Sequence, residues 1–270
     1  MASKYSQISV HSILILGTLL ILAPIWIIFA SSTHDSYTIA TKGMQFGIGD
    51  QFLNNYQNVL FERSGFSKEI TFVGLLFNSL VMAFGIATLT VVTSLLAAYT
   101  IVYFKIRLAT TYFWLIFTTL LVPLEVRIFP SYAIVSELNL TNTYTGLILP
   151  LLASSIATFF FRQFYKTIPD ELLEAAKIDG ANSWKFFIDF LIPLSKTMII
   201  AIFIFMFVYG YNQYLWPILV TSSEEYWTVI MGMKIIRGSF SYIILSIIPP
   251  VLVVIFLQRW FVKGLLYSGK

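Results

Sequence analysis

No cysteine occurs among the 270 residues. That excludes disulfides, thiolate nucleophiles and Cys-ligated metals, and it leaves no mark of the redox compartment. Charge is nearly as scarce. Asp, Glu, Lys and Arg make up 11% of the chain, less than half the roughly 25% of a soluble globular protein. So little charge cannot coat a water-exposed surface, and lipid is the natural surrounding for the rest. Histidine occurs only as His11 and His34, with no metal-ligand cluster around either. There is no GxxxxGKS/T phosphate loop and no HExxH. The residues therefore offer no catalytic site, no metal site and no ATP hydrolysis by this chain. A membrane-embedded enzyme would carry polar or acidic clusters inside its apolar runs, and none is visible.

What is present is apolar: 58% of residues are hydrophobic and the mean hydropathy is +0.82. Runs without an ionisable residue or histidine separate His11 from His34, Glu69 from Lys105, Arg107 from Glu125, Glu137 from Arg162, Lys196 from Glu224 and Arg237 from Arg259. Their lengths are 22, 35, 17, 24, 27 and 21 residues. A bilayer core needs about 20 apolar residues in a helix, so five runs suffice outright. The third reaches that length by continuing through Ile128 and Phe129, with Glu125 and Arg127 turned to the protein interior. The runs are continuous rather than alternating, which favours helices over barrel strands.

The expected fold is therefore an all-α polytopic membrane protein with six transmembrane helices. The expected spans are about 12–31, 72–103, 109–134, 143–165, 197–219 and 239–262, in one membrane domain covering 1–270. The first run exceeds a signal-peptide core and is read as an uncleaved anchor.

Six spans place both termini on one side. Eleven Lys and Arg residues fall on that side: Lys4, Lys105, Arg107, Arg162, Lys166, Lys177, Lys185, Lys196, Arg259, Lys263 and Lys270. Six fall on the other: Lys42, Arg63, Lys68, Arg127, Lys234 and Arg237. The bias makes the termini cytoplasmic. The net charge of +4 is this bias rather than a nucleic-acid footprint. Prolines at 24, 123, 130, 150, 217, 249 and 250 lie in or beside spans, where each removes a backbone donor and kinks a helix. Kinks suit a cavity-forming bundle, although proline is also common in membrane helices.

One long cytoplasmic loop remains, 167–196, reading TIPDELLEAAKIDGANSWKFFIDFLIPLSK. Pro169 suits a first helical position, Asp170 and Glu171 the positive end of the dipole, and Lys177 the other end. Gly180 suits a left-handed stop. Asn182 or Ser183 can cap a second helix carrying Trp184, Phe186, Phe187 and Phe190. Two helices with a glycine corner make a rigid knob whose apolar residues need a partner. An amphipathic hairpin lying on the membrane surface would satisfy the same residues.

Glu174-Ala175-Ala176, three further residues and Gly180 resemble the EAA signature of permease subunits of binding-protein-dependent ABC importers. Phe190 replaces the family's aliphatic residue, and Ile192-Pro193 its Leu-Pro pair. FFFRQFYKTIPDELLEAAKIDGA (159–181) and YGYNQYLWP (209–217) are similar to the carbohydrate-type branch. LVPLEVRIFP (121–130), PLSKT (193–197) and QRWFVKGL (258–265) resemble permeases of sn-glycerol-3-phosphate importers.

The resemblance implies a type I ABC importer permease fold in a bacterial inner membrane, working by alternating access. It implies a second permease subunit, two ATPase subunits and an extracytoplasmic solute-binding protein, with ATP used by partners and no cofactor on this chain. It implies that Glu174, Ala175, Ala176, Asp179 and Gly180 lie at or near the ATPase contact. It points to sn-glycerol-3-phosphate or a glycerophosphodiester as substrate. An uncharged sugar or oligosaccharide is the alternative, and an ATP-independent channel or anchor is the alternative of another class.

Ionisable groups at membrane depth face an interior or the water interface. Glu125 and Arg127 are two residues apart and pair poorly on a helix. The planar fork of Arg127 suits a phosphate on the substrate's path; a structural ion pair or snorkelling to the interface would also place it. Asn212 and Gln213, inside the fifth run, need partners across helices. Asn212 can line the pathway or hold the interface between two permeases. The 25 Phe and 15 Tyr belong mostly to lipid-facing and belt positions.

Overall fold

The computed structural model describes residues 4–61, 70–104, 106–119, 122–236 and 239–267; side chains are described for these except at 4–8, 124, 125, 234, 235 and 260–267. Of the residues counted for orientation, Arg63, Lys68, Lys105, Arg237 and Lys270 lie outside the described residues, and so do the side chains of Lys4, Lys234 and Lys263.

Among the described residues every regular element is helical. The order is α1 (Lys4–Ser32), α2 (Ser36–Lys42), α3 (Phe52–Phe61), α4 (Phe72–Tyr103), α5 (Ala109–Thr118), α6 (Leu124–Glu137) and α7 (Tyr144–Ile148). Then follow α8 (Ser155–Tyr165), α9 (Asp170–Ile178), α10 (Ser183–Phe186), a π-helical turn (Phe187–Leu191), α11 (Ile192–Leu194) and α12 (Lys196–Tyr211). The chain ends with α13 (Leu215–Val220), α14 (Val229–Ile235) and α15 (Phe240–Tyr267).

Among the described residues three stretches are single helices long and apolar enough to cross a membrane: Ser9–Ser32, Phe72–Tyr103 and Phe240–Arg259. Two bent pairs reach the same standard together: Tyr144–Leu151 with Ser155–Tyr165, bent by 49°, and Ser183–Leu194 with Lys196–Tyr211, bent by 74°. The remaining expected run, 109–134, is α5 and α6 with Pro123 as the N-cap of the second. The run 197–219 is α12 and α13, parted at Asn212-Gln213-Tyr214. Breaks at membrane depth are tolerated where the freed backbone groups find partners. At the 152–154 break Thr90 Oγ1 donates to the Leu152 carbonyl at 3.1 Å, and Ser154 caps α8 by accepting the Ala157 N–H at 3.2 Å. Thr119 Oγ1, at the end of α5, meets Ser155 Oγ at 2.7 Å.

The chain divides into two compact units, Met1–Gly74 with Gly232–Ile248, and Leu75–Met231 with Pro249–Lys270. In the first, Phe72 and Tyr242 are buried and stack edge to face at 5.0 Å. The second holds the large core, built from Met82, Ala83, Ile86, Ala87, Phe161, Met206, Phe207, Tyr211 and Trp216 among others. Trp216 Nε1 donates to the Gly146 carbonyl at 3.2 Å.

Buried Asn78 ties the segment after α13 to α4. Its Nδ2 donates to the carbonyls of Glu225 and Trp227, and its Oδ1 accepts from the Tyr144 hydroxyl.

Helices approach closely where side chains are small. A Cβ on Gly210 of α12 would lie 3.2 Å from the Ala83 Cα and 3.2 Å from Ile86 of α4. Gly210→Leu therefore has no room, and overpacking of this kind costs about 1–3 kcal/mol. The expected outcome is a lower thermal unfolding midpoint of the detergent-solubilised protein, with Gly17→Leu as a neutral control because nothing lies near Gly17.

Candidate functional site

The loop expected between the fourth and fifth spans is a hairpin built on local chemistry. Pro169 stands just outside α9 as its N-cap, with extended ψ, one position before that expected of it. Asp170 and Glu171 occupy the first turn and Lys177 the last. The helix stops in a Schellman arrangement: the Gly180 N–H donates to the Lys177 carbonyl at 3.0 Å and the Ala181 N–H to the Ala176 carbonyl at 2.9 Å. Gly180 has φ +77°, the left-handed conformation that glycine adopts without penalty. Of the two candidate caps for α10 it is Asn182 that serves, its Oδ1 accepting the Lys185 N–H at 2.8 Å.

Packing fixes which way the hairpin faces. Ala176, Phe186 and Phe187 are buried. Tyr99 and Tyr103, on the last turns of α4, stack on Phe187 and Phe186 at 5.0 and 5.4 Å. The Tyr99 hydroxyl donates to the Ser183 carbonyl at 2.7 Å. What this seating leaves outside is Glu174, Ala175, Asp179 and Gly180, with Ile178 85% and Trp184 60% exposed. Of the five residues expected at the contact, Ala176 alone points inward. The corner thus presents an isoleucine and a tryptophan together with exposed Glu174, Lys177, Asp179 and Lys185. Tyr99→Phe should leave the hairpin folded but looser. Losing one hydrogen bond worth about 1 kcal/mol should speed amide exchange across 183–191 roughly fivefold, read by mass spectrometry.

The second feature is a cavity between α6, the 152–154 break and α12. One lobe has a volume of about 60 Å³ and is lined by Arg127, Ser131, Leu151, Ala153, Tyr209 and Trp216 among others. A larger lobe of about 370 Å³ shares Arg127, Leu151, Ala153 and Tyr209 and adds Thr119, Ser154, Ser155 and Met206. Arg127 is exposed to this space, and among the described residues its guanidinium has no hydrogen-bond or ion-pair partner. The N-terminus of α8 opens on the larger lobe through Ser154, Ser155 and Ile156. A positive dipole end and a guanidinium thus face one cavity. The Glu125 side chain lies outside the described residues.

Asn212 and Gln213 line neither lobe. Asn212 is exposed at the end of α12. Gln213 is buried, and its Nε2 donates to the Tyr209 carbonyl at 3.3 Å. Residue-by-residue reading singled out that string but not Tyr209 within it, nor Ser154, Ser155 and Trp216. The serine doublet at 154–155, inside an apolar run, is the available signal, since serine is a preferred helix N-cap. Among the described residues no group of three or more His, Asp or Glu could hold a metal ion.

Residues 90–267, which carry both features, match the family described as the binding-protein-dependent transport system inner membrane component. The chain belongs to that family. It is a permease subunit of an ABC importer and an inner-membrane component. It is 45% identical over 270 residues to the sn-glycerol-3-phosphate transport system permease protein UgpE of Yersinia enterocolitica, covering 96% of both chains. It is 43% identical to the protein of that name from Brucella melitensis and 42% to that from Pectobacterium atrosepticum, again over 96% of each. Among solved structures it is similar to a chain of a bacterial ABC transporter involved in import of the acidic polysaccharide alginate. The TM-score is 0.75 at 21% identity, over 97% of this permease and 99% of that chain, and the likeness is one of fold.

Proposed function

We propose that this permease forms half of a membrane pathway for sn-glycerol-3-phosphate or a glycerophosphodiester. A second permease subunit completes the pathway, an extracytoplasmic binding protein delivers the solute, and two ATPase subunits hydrolyse the ATP. Six spans place both termini in the cytoplasm, and the polypeptide acts as one membrane domain. The chain itself carries no cofactor.

The elbow at Glu174–Gly180 is the coupling element. Ile178 and Trp184 enter an apolar site on an ATPase subunit, with Glu174 and Asp179 on its polar rim. When nucleotide draws the ATPases together the elbow moves as a body, because its Schellman stop and its seat on Tyr99 and Tyr103 leave it little internal freedom. Motion passes to the helices it joins, α8 and α12, both of which border the Arg127 cavity. Alternating access follows as those broken helices reopen the cavity to the other side.

Arg127 meets the phosphate. Its fork supplies two parallel charge-assisted hydrogen bonds to phosphate oxygens, and the α8 N-terminus adds backbone donors and a partial positive charge. The observation that carries the substrate reading is this guanidinium on the cavity wall, without a partner among the described residues, in a chain whose relatives bear the name of a phosphorylated solute. The test is uptake of labelled sn-glycerol-3-phosphate by cells expressing the permease with its partner genes. Competition by phosphomonoesters and phosphodiesters, but not by neutral sugars, is expected. Competition by neutral oligosaccharides alone would overturn the substrate.

A further inference from the structure

Among the described residues Arg162, near the end of α8, is the one charged side chain that is buried, at 7% exposed. Burying a guanidinium is costly unless hydrogen bonds or an opposite charge replace its water. Here the replacement is incomplete. Nη1 donates to Oε1 of the adjoining Gln163 at 3.1 Å, and the buried Nε has no partner. No carboxylate pairs with it among the described residues. What it has instead is a ring. Its Cζ stands 3.7 Å from the ring centroid of Phe113 on α5, a residue itself 2% exposed. A cation over the negative face of a ring is attracted to it, most strongly where water is excluded.

The rest of the contact between α5 and α8 is aromatic. Phe159 of α8 packs on Phe113 and Phe117 of α5 at 6.1 and 5.3 Å, and ring pairs accept several geometries. Two specific contacts bracket these rings. Thr119 meets Ser155 at the cavity end, and Phe113 meets Arg162 at the other, so the helices run antiparallel. A slip of one helical turn, about 5.4 Å, would take the guanidinium off its ring and leave it buried without compensation. A buried ionic group is weak evidence for stability, and its best-attested use is to fix register.

We propose that Arg162 is a positioning residue for transport, pinning α5 to α8 so that the two helices travel as one pair when the elbow moves. This rests on the elbow being the coupling element. α8 leads into the elbow, with only residues 166–169 between it and α9. α5 leads the other way, to Thr119, Val122 and Pro123 on the wall of the larger lobe. Pro123 in turn opens α6, which carries Arg127. Through the pin, a push on α9 reaches the helix of Arg127 as well as α8 and α12. An uncharged side chain at 162 would fill the space but let α5 lag behind.

The test uses the transporter assembled with its partner subunits and binding protein in proteoliposomes, where uptake of labelled sn-glycerol-3-phosphate and ATP hydrolysis are measured together. Arg162→Met keeps the length and removes the charge. Uptake per ATP should fall about tenfold, while ATP hydrolysis, assembly and the thermal midpoint stay near those of the unmodified complex; Arg162→Lys, which keeps a cation, should recover part of the loss. Phe113 is then replaced by phenylalanine bearing one, two or three ring fluorines, which nearly keeps the size of the ring and drains its negative face. Uptake per ATP should fall in steps along that series. A flat series would overturn the pin, and so would a loss in Arg162→Met that merely follows its thermal midpoint, since packing would then be the whole role. Gly180→Val, measured beside them, separates pin from elbow. Uptake lost there but kept in Arg162→Met would overturn the pin and leave the elbow standing. Uptake kept in both would overturn the two together.

Discussion

Gly180→Val will abolish ATP-driven uptake while leaving the permease inserted in the membrane, and Gly180→Asn will retain most of it. Nothing lies within 4 Å of a Cβ built on Gly180, so valine meets no clash. The difference lies in the backbone. At φ +77° an ordinary L-residue pays roughly 1–2 kcal/mol, whereas asparagine visits this region routinely. That penalty is a factor of about 5–30 in the population of the corner. The whole hairpin inherits the factor, because the Gly180 and Ala181 bonds to Lys177 and Ala176 form only in that conformation. Ile178 and Trp184 then no longer hold a fixed relation, and an apolar contact that needs both together is lost. Uptake by Val, Asn and unmodified permeases, at matched membrane abundance, decides the matter. Equal loss in both variants would mean that the corner must be bare rather than left-handed.

Arg127→Ala should lower sn-glycerol-3-phosphate uptake at saturating substrate roughly tenfold or more, since each hydrogen bond to a charged group contributes about 1.5–3 kcal/mol. Arg127→Lys keeps the charge but not the fork, and an intermediate rate is expected. The maximal rate is the informative quantity, because a binding protein governs capture from solution. Arg127 stands on the cavity wall with the α8 N-terminus, not in the packed core, so neither variant should disturb the fold. Unchanged transport of the phosphorylated solute in both would remove Arg127 from the path.

The contrast between these two sites shows what a sequence can and cannot convey. The elbow was legible because its determinants are local. Asp170, Lys177, Gly180 and Asn182 act on backbone groups within a few residues, and each does in the structure what its chemistry suggests. That Ile178 and Trp184 face outward while Phe186 and Phe187 turn in was not legible, because the choice is made by Tyr99 and Tyr103, some eighty residues away. The apolar runs conveyed a membrane protein through composition alone. They did not convey where helices break, since a straight helix and two halves bury similar side chains.

Proline was an uncertain guide to those breaks. Pro123 stands at one, yet Pro24, Pro130, Pro249 and Pro250 lie inside helices that continue. At the 152–154 break it is a hydroxyl from another helix that satisfies the freed backbone, Thr90 of α4 reaching the Leu152 carbonyl. The Arg127 cavity is lined from two of these breaks, beside Pro123 and at 151–154, together with α12, so only tertiary structure could reveal it.

Ile178→Cys and Trp184→Cys, each the sole cysteine of the permease, offer the most direct measurement of the central claim. A short bifunctional crosslinker is applied to the assembled, actively transporting complex. Both positions should join to an ATPase subunit, with a yield that changes when nucleotide is bound, while Phe46→Cys should not. If neither position reaches an ATPase and solute nevertheless accumulates against its gradient, the elbow is not the coupling element, and the account fails.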